Sequence, residues 1–522
     1  MSEPIIPPQA TSQVTETPGG TGLDPDTASV AALRQALADG ALTAAELTAF
    51  YSSRIERLNP ALHAVISVSP QAAADARACD EAQARGEAPG PLAGIPVLIK
   101  DNIAVAGMPA TAGSPALAEA EQDEAFLVTR LREAGAVILG KANLSEWANF
   151  RSSHSSSGWS TLGGQAVNPH GPGRNPSGSS SGSGVAVAAG LAPLAVGTET
   201  DGSIVCPSSA CGIVGIKPTL GLVSRGGIVP VSLAQDTAGP MARSVADAAA
   251  LLSVLAAADP ADPATAPAAV RARDYTTFLD PSALAGARLG VWRDPALDAG
   301  ARTTAVLDQA VAVLREAGAE LADPVELPGA ADITEPEFAA LTHEFKHDLN
   351  AYLAGLRGPH PADLAGLIEF NLRYADTVLV HFGQEYFERA EATSGDPGEP
   401  GYQAARAEAS QRAREALDGP LAAHRLDAVV TLTANPAWLT DYVLGDHDHF
   451  HTSGPSAVSG YPAVTVMAGN VSGLPVGLSF LGPAWSEPAL IALAYAFEQA
   501  APARLVPALD GRRPSGGPAG RR

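Results

Sequence analysis

Short, continuously apolar runs recur along the chain between longer amphipathic stretches, which is the pattern of buried strands alternating with covering helices. Runs at 62–68, 91–102, 136–140, 194–196, 212–218, 288–292 and 426–432 read as strands, and 463–467 with 476–481 as a closing hairpin. Helical periodicity predicts helices over 27–38 (capped by Asp26), 71–85, 127–134, 185–192, 243–257, 301–317 and 487–499. Thr43-Ala44-Ala45-Glu46 is a capping box that opens a helix towards Leu58, with Asn59-Pro60 as its stop. Helices dominate 336–417. This alternation predicts an α/β domain spanning 26–510, with a helical excursion at about 335–420 and flexible tails at 1–25 and 511–522.

One stretch breaks the alternation. Residues 177–203 read S-G-S-S-S-G-S-G-V-A-V-A-A-G-L-A-P-L-A-V-G-T-E-T-D-G-S. Gly178, Gly182 and Gly184 let the backbone pass through φ > 0 or approach another group closely, the small apolar run suits a buried helix that Pro193 ends, and 194–196 suits a buried strand. Serines thus sit at both ends of a packed helix–strand unit, where a hydroxyl is held rigidly. A flexible Gly/Ser linker would not continue into a run of core residues.

Charge narrows the partners. With 33 basic and 56 acidic residues the net charge is −23, which disfavours nucleic acid and anionic membranes. Three cysteines, Cys79, Cys206 and Cys211, make no disulfide framework, and buried thiols fit them better than half of a metal site. The first residues lack a basic start and an apolar core, and no apolar run is long enough to span a bilayer, so a cytoplasmic location is expected. Only four basic residues are lysine, and Lys100 ends the apolar run at 91–102. Burial lowers a lysine's pKa and so fits it for general-base work, which arginine cannot do.

The G-S-S-S-G-S-G turn, followed by G-T-E-T-D-G-S-I and C-G-I-V-G-I-K-P-T, resembles the amidase signature family of serine amide hydrolases, and within it the bacterial peptide amidases. The resemblance covers roughly 28–505 and is densest at 92–102 and 143–245. It implies an α/β/α fold, with a large central mixed β-sheet covered by helices on both faces. It also implies a Ser-Ser-Lys triad. Ser203 matches the nucleophile, Ser179 the bridging serine after a cis peptide bond, and Lys100 the base. The turn Thr200-Asp201-Gly202-Ser203 would present backbone N–H groups as an oxyanion hole. Asp201 stands where the commoner family pattern has Gly, and peptide amidases resemble this chain there. In the loop W-A-N-F-R-S, Asn149 matches a substrate-binding position. The implied reaction turns a carboxamide, most specifically a peptide's C-terminal amide, into acid and ammonia through an acyl-enzyme. No cofactor, no metal, and a monomer or homodimer are expected.

Other motifs compete. Gly178–Gly182 matches G-x-S-x-G, but no strand precedes it as a nucleophile elbow requires. His343-Glu344-Phe345-Lys346-His347 matches the H-E-x-x-H zinc peptidase motif. Phe338, Leu341, Phe345, Leu349, Tyr352 and Leu356 define the core-facing stripe of that helix, which turns both histidines towards solvent. The acid–His loop Asp446-His447-Asp448-His449-Phe450-His451 reads as polar surface bordering the pocket, with metal binding as the other reading. An amidotransferase A-type subunit shares the core motifs but needs access to tRNA, against the acidic charge.

Overall fold

The computed structural model describes residues 23–509 apart from 88, 298, 502 and 503. Of the expected tails at 1–25 and 511–522, all but 23–25 lie outside the described residues. Pro25 is buried, and its carbonyl accepts a hydrogen bond from the Tyr51 hydroxyl. Among the described residues thirteen strands form: β1 (Val65–Val68), β2 (Pro96–Lys100), β3 (Val137–Ala142), β4 (Trp159–Ser160), β5 (Gly164–Gln165), β6 (Leu194–Glu199), β7 (Val214–Lys217), β8 (Thr237–Ala242), β9 (Arg288–Trp292), β10 (Glu320–Val325), β11 (Ala428–Leu432), β12 (Ala463–Val471) and β13 (Leu474–Leu481). Eleven make one mixed sheet in the order β1-β3-β2-β6-β8-β7-β12-β13-β11-β9-β10, and β4 pairs with β5. Helices cover both faces of this large sheet, as expected.

A parallel segment of the sheet, β3-β2-β6, positions the chemistry, whereas the middle of the sheet is antiparallel. Strands β2 and β6 are parallel neighbours, with Ile99 opposite Val196, and all their residues are buried. Their carboxyl ends therefore deliver Lys100 and Thr198 to the same edge, where ligands gather in parallel sheets.

The structure matches the expected elements along most of the chain, and the departures have local causes. The first helix begins at Val30 with Ser29 as its cap, because the Asp26 carboxylate is engaged by Arg54 at 3.1 Å. The Thr43–Glu46 capping box forms, yet its helix runs through Pro60 to Leu62. A proline this near the end removes few helical bonds, and the Asn59 side chain binds the amides of Ala64 and Val65 beyond it. The small-residue helix is Ser181–Ala188, four residues earlier than its apolar run implied. Its first turn uses the Gly/Ser residues because Gly182 packs directly on backbone. Strand β8 carried no strand signal: Thr-Ala-Gly-Pro-Met-Ala is small and contains a proline, but pairing with β6 on one side and β7 on the other enforces it.

The excursion folds as helices Thr334–Ala354, Leu364–Arg373, Ala375–Val378, Glu385–Glu391 and Pro400–His424. Leu341, Phe345 and Leu349 of the expected stripe are buried in a second apolar cluster with Phe387. Trp147 and Phe150 join that cluster, so it anchors the loop beside the serines. Among the described residues no helix is long and apolar enough to cross a membrane.

Gly182 gives a sharp test of this packing. A Cβ there would lie 2.3 Å from the Ala64 oxygen and 2.5 Å from both the nitrogen and oxygen of Asn143. Backbone cannot rotate away as a side chain can. Gly182→Ala is expected to destabilise the fold by at least ~1–3 kcal/mol, read as a lower urea midpoint.

Candidate active site

Lys100 is fully buried at the end of β2. Its Nζ lies 2.7 Å from Ser179 Oγ, 2.8 Å from Thr198 Oγ1 and 3.1 Å from the Thr198 carbonyl. Asn102 Nδ2 donates to the same threonine hydroxyl at 3.0 Å, which fixes its orientation. Burial pulls the Lys100 amine down to about 7, against the weaker upward pull of Asp236 and Glu199. An ammonium would donate to all three oxygens. A neutral amine has two N–H donors, enough for Thr198, and leaves its lone pair for the Ser179 O–H. Loss of one proton thus reverses the Lys100–Ser179 hydrogen bond.

Lys141 and Lys217 are also buried, so burial alone does not single out Lys100. Lys141 is paired with Asp101 at 3.1 Å and donates to the Pro109 carbonyl. Lys217 donates to its neighbour's carbonyl, and burial draws it down to about 8 against Glu199 and Glu487. Among the described residues only Lys100 meets a serine hydroxyl.

Two turns carry the serines. The Gly178-Ser179 peptide bond is cis, as the family resemblance implied. Ser180 then ties three elements together. Its N–H donates to the Ser203 carbonyl at 3.1 Å, its Oγ donates to the Thr198 carbonyl at 3.0 Å, and that Oγ accepts from the Thr198 amide at 3.1 Å. The second turn follows β6 and reverses at Gly202, whose φ is +76° and whose missing side chain leaves room for Cys206 Sγ and Ser453 Oγ. Glu199 holds the turn shut by accepting from the amides of Ile204 (2.8 Å) and Val205 (3.1 Å), at the start of helix Val205–Cys211.

The carbonyls of Thr200, Gly202 and Ser203 are all hydrogen-bonded, to Gln235, Cys206 and Ser180 respectively. Among the described residues no acceptor takes the amides of Thr200, Asp201, Gly202 or Ser203. A row of unoccupied N–H donors beside a serine is what an oxyanion requires.

Both turns open on a cavity of about 280 Å³, lined by Ser179, Asp201, Gly202, Ser203, Cys206 and Asn149 among others. Thr200 stands behind this wall, its hydroxyl on Asp236 at 2.5 Å, so of the four expected residues three face the cavity. Asn149 lines the opposite loop, where Trp147, Ala148 and Asn149 all have positive φ. Such geometry costs about 1–2 kcal/mol per residue, which the buried Trp147 and the buried Glu146–Arg151 ion pair hold in place. Asn149 Nδ2 donates to Ser157 Oγ at 2.9 Å, while its Oδ1 is buried without a partner and remains free to accept.

The acid–His loop reaches the same cavity through Asp446, Asp448 and His451. Asp446 is a structural group, accepting from the Ser157 amide and Trp438 Nε1, and burial pushes it up to about 6. Burial lowers the His451 pKa, but Asp448, Asp201, Glu337 and Glu199 outweigh it and hold the imidazole above its ordinary value. The histidines do not converge: His447 pairs with Asp441 at 3.1 Å and His451 with Ser453 at 2.8 Å. Tyr386 and Trp438 complete the wall. Neither residue carried a sequence signal, since each comes from a distant helix or loop.

The H-E-x-x-H residues diverge. His347 is exposed as expected, but His343 is half-buried, stacked on Tyr402 and bonded to Glu399 at 3.1 Å. The solvent-facing side of that helix is partly covered by the start of helix Pro400–His424, which periodicity does not reveal. Glu344 is buried in an ion pair with Arg406, and His347 meets the Gly395 carbonyl. Among the described residues no three His, Cys, Asp or Glu side chains cluster as metal ligands.

Lys100 thus meets Ser179 beside a cavity that Ser203 also lines, on an 11-stranded mixed sheet, and likeness to known proteins makes the chain an amide hydrolase. The family model described as Amidase matches residues 46–491, and the chain belongs to that family. The solved native peptide amidase from Stenotrophomonas maltophilia is 49% identical, with a TM-score of 0.88 over 93% of this chain and 99% of that one. A probable amidase of Arabidopsis thaliana is 41% identical over 492 residues, 92% of this chain and 91% of the relative. The A-type subunit of the glutamyl-tRNA(Gln) amidotransferase of Symbiobacterium thermophilum is 36% identical over 483 residues, 90% of this chain and 96% of the relative.

The buried lysine makes stability depend on pH. Its folded pKa of about 7 lies below the unfolded value, so the unfolded chain binds the extra proton between roughly 7 and 10. Stability from this group therefore rises with pH across that window. Lys100→Met should gain on the parent protein at pH 6, and the difference should shrink by a few kcal/mol by pH 10, measured by urea unfolding at both.

Proposed function

We propose that this protein hydrolyses the C-terminal carboxamide of peptides by a serine–serine–lysine mechanism. The observation that carries the reading is the buried 2.7 Å contact between Lys100 Nζ and Ser179 Oγ, with a lysine whose pKa is drawn down to about 7, at a cavity that also exposes Ser203. Neutral Lys100 takes the Ser179 proton while Ser179 takes that of Ser203. Ser203 Oγ then bonds to the carboxamide carbon, and the carbonyl electron pair moves onto oxygen. The free amides among Asp201, Gly202 and Ser203, the turn residues that line the cavity, stabilise that oxyanion. As the C–N bond breaks, the relay returns its proton to the departing ammonia. Water then repeats the sequence on the acyl-serine, releasing the acid and restoring Ser203.

Asn149 supports the choice of a carboxamide. A buried acceptor without a partner suits the N–H of an amide and disfavours a carboxylate, which has no donor to offer. Peptides are favoured over tRNA-bound substrates by the greater likeness to a peptide amidase, 49% against 36%, and by the net charge of −23. The fold is proposed to act as one domain, with the helical excursion supplying one wall of its cavity.

Ammonia release from an N-acylated dipeptide amide tests the reading. Activity should persist in EDTA and fall by at least ~10³-fold in Ser203→Ala and Lys100→Ala. Release that EDTA abolishes but Ser203→Ala retains would overturn it. Because the base must be neutral, kcat/KM should rise with pH through an apparent pKa near 7 and then level off. A profile flat from pH 5 to 9 would argue against Lys100 as the base.

A further inference from the structure

The catalytic turn is oriented from behind by a side chain that does not touch the cavity. Gln235 is buried, and its Nε2 donates to the Thr200 carbonyl at 2.9 Å. In a trans peptide the C=O and N–H point in opposite directions. Holding the Thr200 oxygen on the Gln235 side therefore turns the Asp201 N–H away from Gln235. Asp201 lines the cavity, whereas Thr200 and Gln235 do not, so that N–H is turned to the cavity side.

Gln235 is itself fixed at both ends. Its second Nε2 hydrogen goes to Glu337 Oε1 at 2.6 Å, and its Oε1 accepts from Arg406 Nη1 at 2.9 Å. This pattern admits only one amide orientation, because a flip would set Oε1 against two acceptor oxygens and the NH₂ against a guanidinium. Arg406 is held in turn by Glu344, through bonds from both Nε and Nη2. Asp236 also secures Thr200, accepting from its Oγ1. Glu337 and Glu344 lie on helix Thr334–Ala354 and Arg406 on helix Pro400–His424, so the excursion reaches the turn through one glutamine.

We propose that Gln235 is a positioning residue for amide hydrolysis, held by Glu337 and Arg406 so that the Asp201 N–H is aimed at the developing oxyanion. This rests on the serine reading of the preceding section. An interaction of this kind acts on the transition state and not on the bound substrate, so it predicts a particular split in the kinetics.

The test compares the parent with Gln235→Ala and Arg406→Lys in the full chain, using the N-acylated dipeptide amide. In Gln235→Ala, kcat should fall ~10–100-fold while KM stays within about threefold. Arg406→Lys keeps a cation for Glu344 but cannot also span to Gln235; it should show the same split with a drop of roughly 3–10-fold, and it carries the comparison if Gln235→Ala does not fold. A peptide aldehyde supplies a readout that a purely structural role would not move. Ser203 Oγ adds to its carbon and the carbonyl pair moves to oxygen, so its affinity should weaken by the factor lost in kcat. The matching peptide alcohol forms no adduct and should bind unchanged. An unchanged kcat, or parallel losses for aldehyde and alcohol, would overturn the inference. Ser203→Ala separates the two levels: full activity there removes the serine reading itself, whereas its inactivity beside a normal Gln235→Ala sinks only the role of Gln235.

Discussion

A lysine amine enclosed by protein, facing three oxygens and no paired carboxylate, is the constraint around which this molecule is arranged. Desolvation acts on the charged form alone, so enclosure converts a surface-type cation into a base near neutral pH. The amine's hydrogen-bonding neighbours are three oxygens. Thr198 supplies two of them from the parallel neighbour of β2, and Asn102 fixes the threonine hydroxyl. The contrast with Lys141 is instructive. It is equally buried, but it meets the Asp101 carboxylate at 3.1 Å and the Pro109 carbonyl and, among the described residues, no serine hydroxyl.

Small side chains make such enclosure possible. Helix Ser181–Ala188 is built wholly from Ser, Gly, Ala and Val, and every residue is buried. It approaches the Asn143 backbone closely enough for the Gly182 amide to donate to the Asn143 carbonyl. The serine hydroxyls then do what larger residues cannot, bridging turns while occupying little volume. Ser180 links the serine turn to β6, Ser181 Oγ returns to the Ser177 carbonyl and Ser183 Oγ reaches the Val196 carbonyl. Many of the site's polar groups are satisfied internally, while the amides of Asp201, Gly202 and Ser203 and the Asn149 Oδ1, all on cavity-lining residues, have no acceptor or donor among the described residues.

The excursion gives the same sheet a particular pocket. Its apolar cluster holds Trp147 and Phe150, and through them the left-handed residues that aim Asn149. Its polar face contributes Tyr386 to the wall, and Glu337 and Arg406 to the back of the turn. The helical excursion therefore reaches both the cavity wall and the back of the 200–203 turn.

Most strands and helices are legible in the amino-acid order, and so are Lys100, Ser179, Ser203 and Asn149 as candidates; the last three come to line one cavity, with Lys100 bonded to Ser179. They are written locally, as apolar runs, a capping box, a Gly/Ser turn and a lysine at a strand end, and the family resemblance gave them roles. Other features arise only when the chain is folded. Strand β8 exists because its neighbours pair with it, and His343 is covered because a helix some sixty residues later lies over it. Two further lysines proved buried, and only their partners distinguish them from Lys100. Gln235 gained its place from residues more than a hundred positions away. The physical reason is common to all of these. Burial and hydrogen-bond partnership are properties of pairs of distant segments, and a chain read residue by residue states only which groups are available to be paired.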